Sequence, residues 1–191
     1  MKPTLTEQDF RDAAAELRCD VPAIKAVCEV ESPKGGFNPD DTLTSLFEAH
    51  KFAKYTGGRF NASHPNLSSP TWNRTLYGKT WQAERARLLA AVELDSVAAI
   101  MSTSFGRFQI MGFNHGMCGY RDAADMVNAF KTGERAQLLA FVEYIQSAGL
   151  DDELRGHRWL PLAIGYNGPA AAQNRYDIKL SAAFRKHGGV S

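Results

Sequence analysis

Asp20-Val21-Pro22-Ala23-Ile24-Lys25-Ala26-Val27-Cys28-Glu29-Val30-Glu31-Ser32-Pro33-Lys34-Gly35-Gly36 is the stretch on which the fold turns. Asp20 is a good helix cap, Pro22 falls in the first turn where its missing N–H is not needed, and Ile24, Val27, Cys28 and Glu31 follow at i, i+3, i+4 and i+7. The spacing predicts a helix ending near Glu31, because Pro33 disfavours helix in the residue before it and Gly35 and Gly36 favour a turn. Helical geometry sets Glu31 about 20° from Ile24 and Glu29 about 140° from it. Glu31 is therefore expected on the buried face, and Glu29 in water, paired with Lys25 one turn back. Burial raises a carboxyl pKa, as a general acid working near neutrality requires. The plainer alternative is a helix-end glutamate that turns outward.

Outward from this helix the pattern stays helical. Thr4 and Glu7 have capping-box spacing, and Phe10, Ala13, Ala14 and Leu17 recur on one helical face. Leu43 to Phe47 suits a short strand, while Phe47 to Tyr55 suits a helix equally well. Thr56 to Lys79 reads as a long loop or a lobe beside a cleft. Of its aromatic residues and the one just after it, Phe60, Trp72, Tyr77 and Trp81 either offer a stacking surface to a ligand or anchor a small subsidiary core. Helix resumes from Trp81 to Glu93, with Asp95 or Ser96 capping a short successor ending near Ser102. Further helices are expected over Ala123 to Phe130, Glu134 to Ala148, a short piece after Asp151, and Ala170 to Lys186, punctuated by Gly133, Gly149 and Gly168-Pro169. Residues 1–191 read as a single, mostly α domain.

Composition narrows the function. Hydrophobic residues make up 44% and charged residues 23%, globular proportions. With 22 basic and 21 acidic side chains the net charge is +1, so no nucleic-acid partner is expected. Cys19, Cys28 and Cys118 show no CxxC spacing and read as free thiols, with a 28–118 bridge as the alternative. The histidines His50, His64, His115, His157 and His187 lack ligand spacing, so no metal and no cofactor are expected. Arg107 and Arg175 read as surface arginines or as contacts to ligand carboxylates. The first ten residues lack the apolar core of a signal peptide, and no window approaches roughly 18 uninterrupted apolar residues. Cytoplasmic synthesis without membrane insertion is the expectation.

Two further segments carry chemistry. Ser102-Thr103-Ser104-Phe105-Gly106-Arg107-Phe108-Gln109-Ile110-Met111 sets small residues before a glutamine, and Ala163-Ile164-Gly165-Tyr166-Asn167-Gly168-Pro169 ends a helix in a tight turn bearing a phenol and an amide. With Glu31-Ser32 these resemble, in order, the signatures of the goose-type lysozyme and lytic transglycosylase superfamily. Leu46-Phe47-Glu48-Ala49-His50 resembles a segment of the phage-type N-acetylmuramidase endolysins. The resemblance, over roughly Ala23 to Pro169, implies a lysozyme-like helical domain with a small β-hairpin or loop lobe beside the cleft. It implies a monomer acting on bacterial peptidoglycan glycan strands, reaching the wall from the host cytoplasm through a lesion made by another factor. Glu31 would protonate the glycosidic oxygen. Gln109 would line the cleft, Ser104 and Gly106 would allow close backbone approach, and Tyr166 and Asn167 would stand near Glu31. One departure is the missing small residue that many transglycosylases carry before the glycine of the Tyr-Asn-Gly-Pro turn.

Hydrolysis commonly needs a second carboxylate. Glu48 is the candidate base, with Asp40 and Asp41 as alternatives and a structural role for Glu48 as the competing reading. A lytic transglycosylase would need no such base and would leave 1,6-anhydro ends. A non-catalytic wall-binding protein is the third reading; chitin ranks below bacterial wall as substrate.

Overall fold

The computed structural model describes residues 1–190. α1 (Glu7–Leu17) opens with a capping box, but one formed by Thr6 and Asp9 rather than Thr4 and Glu7. Thr6 holds the extended backbone that a cap needs, and Asp9, three residues on, reaches back to the Thr6 N–H at 2.9 Å. α2 (Val21–Glu31) follows the expected pattern: Asp20 accepts from Ala23 N–H at 3.3 Å, and Ala23, Ile24, Ala26, Val27 and Cys28 are buried.

Both readings of the ambiguous segment hold in succession, as β1 (Ser45–Phe47) and α3 (Ala49–Tyr55), with Glu48 at the junction. A loop containing a 3-10 turn, Arg74–Leu76, leads to α4 (Trp81–Leu94) and α5 (Ser96–Met101), where Asp95 both ends one helix and caps the next. β2 (Thr103–Phe105) and β3 (Ile110–Met111) complete a small antiparallel sheet of order β1-β2-β3, with Leu46 opposite Ser104 and Ser104 opposite Met111. After a 3-10 segment come α6 (Ala123–Phe130), α7 (Glu134–Ser147), α8 (Asp151–Arg155), α9 (Trp159–Asn167) and α10 (Tyr176–Lys186). α10 starts later than Ala170, since Pro169–Ala171 makes a 3-10 turn and Arg175 takes a left-handed conformation (φ 55°).

Two cores of unequal size result. The larger packs α1, α2, α6, α7, α9 and α10 around Leu17, Ile24, Phe108, Phe141 and Phe184. The smaller gathers Phe47, Phe52, Leu67 and Ala99 beneath the loop lobe, and Phe60 stacks on Phe52 at 5.7 Å. α10 crosses α2, which changes the partners of Glu29. It meets Lys186 at 2.8 Å and His187 at 2.9 Å, while Lys25 meets Glu7 at 2.6 Å. The three cysteines are unbridged, and burial pushes each thiol up to about 12. Among the described residues no helix is long and apolar enough to cross a membrane.

Candidate active site

Glu31 is the last residue of α2 and is half-buried. Burial pushes its carboxyl up to about 7, against the opposing pull of a hydrogen bond from Asn167 and the charge of Lys179. Asn167 Nδ2 donates to Glu31 Oε1 at 2.9 Å. Gly168, at φ 83°, and Pro169 end α9 at that residue and so leave the amide facing the acid. Tyr166 is used differently. Its hydroxyl donates to the Phe108 carbonyl at 2.7 Å, and its ring meets Tyr144 edge-on at 5.2 Å, so it clamps α9 to the hairpin. Burial, then the nearby Glu31 charge, holds its phenol well above the ordinary value. The same two causes raise Tyr176 on the α10 side.

The β2–β3 turn is built from its own side chains. Ser104 Oγ donates to Gln109 Oε1 at 2.9 Å, and Gln109 Nε2 donates to the Gly106 carbonyl at 2.9 Å. Gly106, at φ 76°, has a stricter reason to be glycine: a Cβ there would lie 2.6 Å from Gln137 Oε1. Gln137 is fully buried on α7, accepts from Arg107 N–H at 2.6 Å and donates to the Phe130 carbonyl at 3.1 Å. One helical turn before it, Glu134 accepts from Gly36 N–H at 2.6 Å and from Leu5 N–H at 3.1 Å. The Arg107 guanidinium, expected at the surface, instead donates to the Ser32 carbonyl at 3.2 Å, just beyond Glu31. α7 thus fixes both the loop after the acid and the hairpin bound to that loop through Arg107. Sequence reasoning passed over Glu134 and Gln137, although two polar residues on the same face as Leu138, Phe141 and Ile145 were a readable sign.

Glu48 lies on the other flank. Its Oε2 accepts from the Tyr77 hydroxyl at 2.7 Å and sits 3.2 Å from His50 Nδ1. Burial and the Glu48 carboxylate hold the Tyr77 phenol well above its ordinary value, so it is the donor; burial lowers His50. Behind them, Glu84 on α4 receives the Gly78 N–H and the Arg87 guanidinium (2.8 Å), and Arg87 spans to the Asn66 carbonyl at 3.3 Å. Glu31 borders the turn of the hairpin through Ser32 and Arg107. Glu48 borders its open end, with its N–H on the Ser102 carbonyl at 2.9 Å. Asp40 and Asp41 are exposed, one bonded to Thr42 and the other to the N-terminal amine. Among the described residues no group of three or more His, Cys, Asp or Glu side chains is arranged to hold a metal.

A family model described as N-acetylmuramidase matches residues 20–188. Among solved structures, the crystal structure of a Burkholderia AP3 phage endolysin has a TM-score of 0.84 to this chain at 37% identity, over 97% of this chain and 71% of that one. Among curated proteins none matches. The fold is thus that of a lysozyme-like endolysin, and with the family model spanning both the Glu31 and the Glu48 segments, the chain belongs to the N-acetylmuramidase family of peptidoglycan-degrading hydrolases.

Proposed function

We propose that the protein is an endolysin that hydrolyses the β-1,4 bond between N-acetylmuramic acid and N-acetylglucosamine, with Glu31 as general acid. The observation that carries this reading is a half-buried carboxyl raised to about 7, held by one amide and set at the end of a helix. Near neutrality about half of it is protonated, ready to give its proton to the leaving glycosidic oxygen. Glu48 is the candidate base for an inverting hydrolysis: it would take a proton from the water that attacks the anomeric carbon, a role that needs the carboxyls about 6.5–9.5 Å apart. Ser104, Gly106 and Gln109 shape the hairpin wall, while Asn167 orients the acid and Tyr166 fixes the helix that carries Asn167. The substrate is the glycan strand of bacterial peptidoglycan, met by a monomer released from the host cytoplasm once another factor has opened the membrane.

One observation favours a second reading, a lytic transglycosylase. Glu48 Oε2 is already engaged by Tyr77 and faces His50, as a purely structural carboxylate would be. Mass spectrometry of fragments released from purified peptidoglycan separates the two. Reducing muramic ends identify hydrolysis, whereas 1,6-anhydro ends, lighter by one water, identify transglycosylation and remove Glu48 from the chemistry. Glu31→Gln should lower release by at least about a hundredfold. Full release by that variant would assign the acid elsewhere, and no release by the unaltered protein would leave the wall-binding reading.

A further inference from the structure

Trp72 is 59% exposed, yet it is not free to swing. Its indole N–H donates to the Tyr77 hydroxyl at 2.8 Å, and that hydroxyl in turn donates to Glu48. The two rings stand edge to face with centroids 6.4 Å apart. The backbone between them is the 3-10 turn Arg74–Leu76, capped by Asn73, whose Oδ1 accepts from Thr75 N–H at 3.0 Å. Immediately beyond Tyr77 the chain is tied down at Gly78, whose N–H bonds the buried Glu84. Phe60, on the same loop, serves the small core, so the four aromatic residues around this loop do not share one role.

A tryptophan whose polar atom is satisfied, whose backbone is braced and whose ring remains in water is an ordered apolar platform without an intramolecular partner for its open surface. We infer that Trp72 is a saccharide-binding platform, on which a pyranose ring of the glycan strand lays its C–H face on the Glu48 side of the site. Pyranose rings suit it chemically: their axial C–H groups form an apolar face of ring size, and their hydroxyls stay at the edge, in water. The inference rests on the peptidoglycan reading of the cleft and adds a residue to it that contacts substrate away from the bond being cut.

The probe is a set of peptidoglycan glycan strands freed of stem peptides by an amidase. On these strands Trp72→Ala should raise KM about tenfold while kcat changes by less than about twofold, and Trp72→Phe, which keeps a ring, should stay within about threefold of the unaltered KM. A binding measurement free of turnover uses the Glu31→Gln background. There the strands should shift the tryptophan emission, which comes from Trp72, Trp81 and Trp159. The shift should vanish on adding Trp72→Ala. An unchanged KM in Trp72→Ala with cleavage intact overturns the platform and leaves the hydrolase reading standing. Equal losses in the alanine and phenylalanine variants also overturn it, because the hydrogen bond rather than the ring would then be what matters. If the unaltered protein cuts nothing, the hydrolase reading fails, and the emission shift alone decides whether Trp72 binds glycan. Matching thermal melts for the variants confirm that the loop has kept its place.

Discussion

The segments that carry Glu31 and Glu48 are both held by buried polar side chains, but of different kinds. On the Glu31 flank, Glu134 and Gln137 of α7 accept from the backbone N–H groups of Gly36, Leu5 and Arg107, with the large apolar core behind them. On the Glu48 flank, the Glu84–Arg87 pair of α4 binds the loop at Gly78 and Asn66, and only the small core lies beneath. Backbone-directed bonds on a large core set a conformation that the packing already favours. A buried ion pair over a small core is costly to break from one side, because losing one partner strands the other's charge.

The strongest way to break this contrast is Glu84→Leu. It strands Arg87, whose side chain is 13% exposed, and frees Gly78; the expected loss is about 3–5 kcal/mol in urea unfolding, with activity falling as the lobe loosens. A loss below about 1 kcal/mol would mean that the pair behaves like a surface bridge. Next comes Gly106→Ala, which pushes a methyl group into Gln137 at a left-handed position. About 2–3 kcal/mol should be lost, and Gly106→Ala with Gln137→Ala should cost less than the sum of the two single changes. Strict additivity would show that the hairpin does not lean on α7.

A smaller effect sharpens the Glu31 side. The folded carboxyl is raised from 4.5 to about 7, so the stability tied to its protonated form is fully present below pH 4.5 and is lost as pH climbs through about 7. Glu31→Gln escapes that loss. It should be more stable than the parent by up to about 2 kcal/mol above pH 7, after discounting for solvent at the cleft, with the advantage gone below about pH 4.5. The activity of the parent should fall over the same rise through pH 7; melts that differ equally at all pH values would locate the raised group elsewhere. Smallest of all is Glu29→Gln, which removes two surface pairings with α10 and should cost under about 1 kcal/mol, less still in high salt.

The contrast also explains what the sequence could disclose. α2 was legible almost to the residue, because cap, proline, apolar spacing and the Pro33–Gly36 break are all local signals. Its acid could be placed on the buried face by counting turns. The segment 43–55 was not decided, since a strand and a helix meet at Glu48 and neither is long enough to set a period. The place of Glu134 and Gln137 on the apolar face of α7 marks them as buried, but the backbone they hold lies about a hundred and about thirty residues away, and no local pattern records those partners. The partners of Glu29 and Arg107 were missed for the same reason: α10 and the end of α2 reach them only once the chain is packed. Tyr77 was noticed as an aromatic, but its phenol-to-Glu48 bond, and with it the place of Trp72, needed three dimensions.

The three unbridged cysteines set how the chain meets a change of surroundings. Exchange of thiols with disulfides runs through the thiolate, and with the thiols at about 12 only about one in ten thousand is ionised at pH 8. Burial thus favours the protonated thiols, and the three cysteines form no cross-link among themselves. The fold is thus complete without a covalent cross-link, and its three thiols are held by packing alone.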